Sequence, residues 1–264
     1  MTSILEVEGG HPLTGSITVR GAKNFVPKAM VAALLATTPS ELYNVPLIRD
    51  VDVVSNLMRL HGAHVDFDQD RGVMRIDPSN VEVAQRSDID ALGGSSRIPI
   101  LFCGPLLHRM GEAFIPQLGG CNIGGRPIDF HLQILRQFGA IVDKRSDGIH
   151  MSRPAEGLRG TVVDLPFPSV GATEQTLLTA VRAEGVTILR GAAVEPEIMD
   201  LINLSNRKSS VRRSPPWTLC RGVTTMVTTR TRRSTPSTGN WTPHGGRVPS
   251  TTTSSRPMRS SHSN

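Results

Sequence analysis

This 264-residue chain has only three cysteines, no acidic residue beyond position 204 and no apolar run of membrane-spanning length. Cys103, Cys121 and Cys220 have neither the paired spacing of a zinc site nor the density of a disulfide framework, so thiols are expected. Without a long apolar run or a basic leader in Met1-Thr-Ser-Ile-Leu-Glu-Val-Glu, the expected location is cytoplasmic, away from any membrane. The missing acids also decide where the charge lies. Of the formal +6, residues 205–264 contribute ten Arg and one Lys, or +11, which leaves −5 for residues 1–204. A nucleic-acid partner would therefore rest on the tail alone, where Arg residues are scattered and only loosely interleaved with aromatics; such a partner is not expected.

Up to Leu204 the pattern is α/β. "SITVR" (16–20) and "VMRID" (73–77) alternate like half-buried strands, whereas "PKAMVAALLAT" (27–37) and "VVSNLMRLHG" (53–62) carry apolar residues at helical spacing. One stretch is copied. "DVVSNLMRLHGAHV" and "DFHLQILRQFGAIV" both run from Asp to Gly-Ala-x-Val, and the step from Asp52 to Asp129 is 77 residues. A third copy starts in "TILRGAAVEPEIMDLINL" (187–204) but reaches no Gly-Ala-x-Val. Of the 60 residues that follow, 24 are Ser or Thr and no periodicity survives, a composition too polar to offset the entropy of ordering. Three segments are therefore expected: 1–20, 21–204 with repeated α/β units, and a basic, disordered tail over 205–264 that resembles a changed reading frame.

Four places combine glycine, a helix start and a cation or thiol. Gly21-Ala22-Lys23-Asn24 joins strand to helix, where close backbone approach, free N–H groups and a Lys suit a phosphate. Arg97 heads the apolar helix "RIPILFCGPLLHRM", in which Cys103 reads as core packing. "LGGCNIGGRPIDFH" (118–131) sets Cys121 among four glycines ahead of Arg126 and Pro127; nearby positive charge and a helix dipole would lower the thiol's pKa. Asp129 and His131 on its first turns could equally serve the dipole and a local hydrogen bond. "PSVGATEQTLLTAVRAEG" (168–185) places Ser169 and Gly171 before a helix whose stripe is Ala172, Leu177, Leu178 and Val181. Each feature also fits a plain structural role: an ordinary turn, a rim cation, a small loop residue, an N-cap.

In this order, "GAKN", Arg97, "GGCNIGGRPIDFH", "LPFPSVGATE" and "EPEIMDL" resemble the UDP-N-acetylglucosamine 1-carboxyvinyltransferases of peptidoglycan synthesis, over about Ile4 to Leu204. The resemblance implies the inside-out α/β barrel of repeated units of the enolpyruvyl transferases, with the second domain largely missing and strands 1–20 belonging to it. It implies transfer of enolpyruvyl from phosphoenolpyruvate to the 3′-hydroxyl of UDP-N-acetylglucosamine with release of phosphate and no cofactor or metal. Lys23 would hold phosphoenolpyruvate, Asn24 the sugar and Arg97 the phosphate side. Cys121 would be the lid thiol and general acid. Arg126, Pro127, Ile128, Asp129 and Phe130 would line the nucleotide site, with Ser169, Val170 and Gly171 at the diphosphate. Phe167 stands where some members carry Lys. Little turnover is expected of these 264 residues by themselves. The alternatives are a transferase making 5-enolpyruvylshikimate 3-phosphate, which lacks the Cys loop, and a non-catalytic remnant.

Overall fold

The computed structural model describes residues 6–10, 12, 14–82, 84, 89, 98–116, 128–208, 218–219 and 225–230. Two complete units repeat one order of elements. The first is α1 (Val26–Ala33), β1 (Ser40–Leu42), α2 (Arg49–Leu60), β2 (His64–Asp68) and β3 (Val73–Asp77). The second is α3 (Pro99–Met110), β4 (Glu112–Pro116), α4 (Asp129–Gln137), β5 (Ile141–Arg145) and β6 (Gly148–Ser152). Each forms a three-stranded antiparallel sheet with its last strand in the middle, β1-β3-β2 and β4-β6-β5.

The 77-residue repeat is a helix ending. Gly62 and Gly139 both adopt positive φ, 75° and 96°, which favours glycine, and reverse the chain after α2 and α4. In each, the glycine N–H bonds back to an Arg carbonyl (Arg59, Arg136) at 2.9 Å and the following Ala N–H reaches Met58 or Leu135 at 3.0 Å. These paired bonds satisfy the last helical carbonyls and aim the chain into the next strand.

The third unit has β7 (Val162–Asp164), α5 (Val170–Ala180), β8 (Gly185–Arg190), α6 (Pro196–Lys208), β9 (Thr218–Leu219) and β10 (Thr225–Arg230). Its sheet runs β7-β8-β10-β9, with β7 parallel to β8 and the remaining pairs antiparallel. The order β8-β10-β9 reproduces β1-β3-β2. So α6 continues past Leu204, and a segment expected to lack order supplies two strands. The β-branched run Thr225-Met-Val-Thr-Thr-Arg230 has the propensity to add to the open edge of β8.

The core lies among the helices. α1, α3 and α5 are buried on nearly all sides, α3 packs on both α1 and α5, and α4 and α6 pack on α5. Ala172, Leu177 and Leu178 of the expected α5 stripe are buried, and burial extends beyond it to Thr173, Glu174, Gln175, Thr176 and Thr179. The α2 and α4 helices are one-sided, and their acidic first turns, Asp50 and Asp52 in one and Asp129 in the other, complement the helix dipole. Helix boundaries differ from the sequence pattern: α1 spans 26–33 and α2 starts at Arg49. "SITVR" is a correction, since residues 16–20 form no strand. Ile17 and Val19 are 89% and 75% exposed, and an alternating pattern makes a strand only where another strand receives its backbone groups.

At the α3–α5 crossing, a methyl on Gly104 would stand 2.6 Å from Thr179 Oγ1 and 3.3 Å from the Thr179 Cα. Gly104→Ala is therefore expected to lose about 1 kcal/mol in urea unfolding despite its better helix propensity, since overpacking costs more than that gain. Unchanged or higher stability would contradict such close helix contact.

Candidate functional site

Lys23 and Asn24 sit in the turn that enters α1. Gly21 N–H donates to the Asn44 carbonyl at 2.9 Å, and Phe25 and Val26 N–H both donate to the Ala22 carbonyl at 3.1 Å. This corrects one expectation: with Pro27 lacking an N–H, the start of α1 spends its donors within the turn. An anion here would meet the Lys23 side chain, not the helix end. The Lys23 ammonium is largely exposed and 3.7 Å from Asp50 on α2, a solvent-screened pair that leaves the cation available.

Behind the turn the charges are buried. Lys28 Nζ donates to the Asn24 carbonyl at 2.6 Å and lies 3.5 Å from Glu174 Oε1 on α5. Asn24 Nδ2 donates to Glu197 Oε1 on α6 at 3.5 Å. Burial pushes the Glu174 carboxyl up to about 7 against the pull of Lys28, and Glu197 and Glu195 add to the rise. The fourth carboxylate oxygen of note, Oε2 of Glu195, is buried without a hydrogen-bond partner among the described residues.

The second cluster lies at the start of α5. Ser169 is its N-cap, its Oγ accepting from Ala172 N–H at 3.4 Å. The capping role left open by the sequence is thus occupied, while Val170 and Gly171 lie half-buried in the first turn, where the dipole favours an anion. Gly171 is a glycine for space: a methyl there would lie 3.2 Å from His131 Nε2. His131, on α4, holds Nδ1 3.3 Å from Gln175 Oε1, and Gln175 Nε2 donates to Thr179 Oγ1 at 3.2 Å. The amide oxygen calls for a proton on His131 Nδ1, so the neutral ring presents Nε2 as an acceptor beside Gly171. Burial lowers the His131 pKa, and the bond to Gln175 opposes that shift.

Of the other expected nucleotide residues, Ile128 precedes α4, Asp129 opens it 3.7 Å from Lys144, and Phe130 meets Phe167 edge-on at 5.4 Å between ring centroids. The structure thus joins 128–130 to 167–171, and ties the Lys23–Asn24 turn to α5 through Lys28. Arg97, Cys121, Arg126 and Pro127 lie outside the described residues. Cys103 is buried and its thiol pKa is pushed strongly upward, as core packing requires. A cavity of about 680 Å³ opens elsewhere, between α3 and the β4-β6-β5 sheet, lined in part by His61, Met110, Phe114, Arg145 and His150. It contains none of the residues above. Sequence pattern passed over Lys28, Glu174, Gln175 and Asp50; the one available signal was an acid and an amide inside a helix otherwise read as apolar.

The chain belongs to the EPSP synthase (3-phosphoshikimate 1-carboxyvinyltransferase) family, whose profile matches residues 7–215. Among curated relatives, the UDP-N-acetylglucosamine 1-carboxyvinyltransferase of Protochlamydia amoebophila is 43% identical over 206 residues, which is 75% of this chain and 43% of that one. The protein of the same name from Paracoccus denitrificans is 41% identical over 201 residues, 76% of this chain and 47% of that one. The chain therefore spans less than half the length of these relatives. Among solved structures, the enolpyruvyl transferase NikO from Streptomyces tendae superposes with a TM-score of 0.69 at 19% identity, covering 84% of this chain and 50% of that one. EPSP synthase from Acinetobacter baumannii gives 0.63 at 16% identity, covering 81% and 46%. At such identities the likeness establishes the fold, which is that of the enolpyruvyl transferases.

His131 supplies a test of the α4–α5 contact. With its pKa lowered in the fold, the neutral ring contributes stability that is present above the unfolded value of about 6.5 and is lost as pH falls through the folded value. The difference in unfolding free energy between wild type and His131→Asn should therefore narrow on acidification below about pH 6.5. A gap that is constant or widens would show that the ring is not buried against Gln175.

Proposed function

We propose that this chain forms the nucleotide- and phosphate-binding half of an enolpyruvyl transferase acting on UDP-N-acetylglucosamine in peptidoglycan synthesis. Its reaction would move enolpyruvyl from phosphoenolpyruvate to the sugar 3′-hydroxyl and release phosphate, in the cytoplasm. The observation that carries this is the first turn of α5. Val170 and Gly171 offer backbone donors at a positive helix end, His131 and the Phe130–Phe167 pair flank them, and the relatives at 41–43% identity bear the name of that activity. On this reading Ser169, Val170 and Gly171 hold the diphosphate, and Ile128, Asp129, Phe130, Arg126 and Pro127 hold the nucleoside. Lys23, with Arg97, takes phosphoenolpyruvate, and Asn24 orients the sugar. No helix among the described residues is long and apolar enough to cross a membrane.

Chemically, the addition step needs a proton for the methylene carbon of phosphoenolpyruvate, and the thiol of Cys121 is assigned that role. The sugar 3′-hydroxyl adds to the resulting cationic carbon and gives up its proton, and departure of phosphate together with one proton of the new methyl group restores the carbon–carbon double bond, so water must be kept away while the cation exists. The glycines around Cys121 suit a loop that closes over bound substrate.

Val170→Asp separates binding from folding, because an acid in the first turn favours the helix dipole yet repels a diphosphate. UDP-N-acetylglucosamine should bind the wild-type chain saturably by calorimetry, shikimate 3-phosphate should not displace it, and the substitution should weaken binding about tenfold or more. Displacement by shikimate 3-phosphate would favour the sister transferase. An unchanged affinity in Val170→Asp would remove the diphosphate from α5.

A further inference from the structure

The buried charges behind the Lys23–Asn24 turn carry a role that the substrate-contacting residues do not cover. Lys28 lies one helical turn beyond Asn24, and its ammonium folds back to the Asn24 carbonyl at 2.6 Å while facing Glu174 at 3.5 Å. Its side chain is 18% exposed and that of Glu174 is 5% exposed. The early N–H groups of α1 are already bonded to Ala22 and Phe25, so the Lys28 bond is an added tether on the turn. Asn24 is gripped from its other side by Glu197. One short turn is thereby fastened to the body of α1, to α5 and to α6.

We propose that Lys28 and Glu174 are positioning residues for the Lys23–Asn24 turn, and that Glu174 takes up a proton when an anionic ligand seats on that turn. This rests on the proposed role of the turn in receiving a phosphorylated substrate. Charge dictates the direction. Glu174 from α5 is paired with one largely buried cation, Lys28 of α1, and also feels the charges of Glu195 and Glu197 at the α6 end, while Lys23 is matched by Asp50 of α2. With all three carboxyls ionised the neighbourhood is negative and opposes a phosphate. A proton from solvent placed on Glu174 removes one of those charges, and no other bond is made or broken. It also frees the Lys28 ammonium from competition, so that its hold on the Asn24 carbonyl tightens as the anion arrives. Burial already keeps Glu174 near the point of protonation, at about 7, so a neighbouring anion needs only a modest further shift.

The sign follows from linkage. A proton taken up on binding means that affinity is highest at low pH and declines as pH rises through the free-state value near 7.

Two measurements on the wild-type chain, Glu174→Gln, Lys28→Arg and Lys28→Met test this. Without ligand, the carboxyl carbon of Glu174 and the amide nitrogen of Phe25, which follows the Asn24 carbonyl, are tracked by NMR against pH. A shared midpoint is expected in wild type and Lys28→Arg, and no inflection at Phe25 in Glu174→Gln or Lys28→Met. An inflection that persists in both of these variants, or is absent in wild type, overturns the positioning role whatever the ligand. Phosphoenolpyruvate is then titrated calorimetrically at about pH 8 in buffers of differing ionisation heat. Uptake of roughly 0.4 proton or more is expected in wild type, as for a carboxyl moved from near 7 to about 8 or above, and none in Glu174→Gln, whose affinity should vary at least threefold less between about pH 6.5 and pH 8.5. Binding with equal proton uptake in both proteins overturns the coupling and leaves the substrate assignment standing. No binding of phosphoenolpyruvate to wild type overturns the substrate assignment and the coupling with it.

Discussion

A helix of eleven residues, α5, is buried on every side although five of its side chains are polar, and the rest of the molecule is arranged to make that tolerable. An unpartnered polar group removed from water costs about 1–3 kcal/mol, so five of them would exceed much of a domain's net stability. All five are answered individually. Thr173 Oγ1 accepts from Ala193 N–H, Glu174 meets Lys28, Gln175 lies between His131 and Thr179, and Thr176 and Thr179 return their hydroxyl hydrogens to carbonyls one turn back. Three of the answers come from outside α5, each from a different neighbour: Lys28 of α1, His131 of α4 and Ala193 in the segment before α6. Meeting those demands fixes where the surrounding helices stand.

Sheets on the outside follow from the same constraint. With α1, α3 and α5 filling the centre, the strands of each unit have only the outer surface left; Asp143, Lys144 and Arg145 of β5 face solvent there, and so do the apolar Ile141, Val162 and Val186. The ends of the central helices then become the natural place for ligands. The first turn of α5 and the turn before α1 are linked through residues one turn apart on α5, Gly171 beside His131 and Glu174 beside Lys28.

Much of this was legible in the chain. The Gly-Ala repeat marked two helix endings, the apolar run after Ile98 marked a buried helix, and Ser169-Val170-Gly171 marked a helix start. What escaped has physical reasons. "SITVR" carries strand alternation, yet pairing is a property of two segments and one segment cannot display it. The polar residues inside α5 gave no signal of their own, because periodicity registers chemistry without partners; only the fold reveals Lys28 opposite Glu174. The strands of 218–230 sit in a stretch whose Ser, Thr and Arg content outweighs a six-residue β-branched run in any composition-based reading. Ser169 shows the reverse case, where the capping and the ligand role were both visible: its Oγ accepts from Ala172 N–H as a cap, a bond that leaves the O–H to donate elsewhere.

Native-state hydrogen exchange across the chain measures the central constraint directly. If α5 is the buried hub, the amides of residues 172–180 exchange only through global unfolding and are the slowest in the molecule, matching the free energy from denaturant unfolding. Exchange of α5 through local opening, faster than that of the β2-β3 and β5-β6 hairpins, would contradict the account.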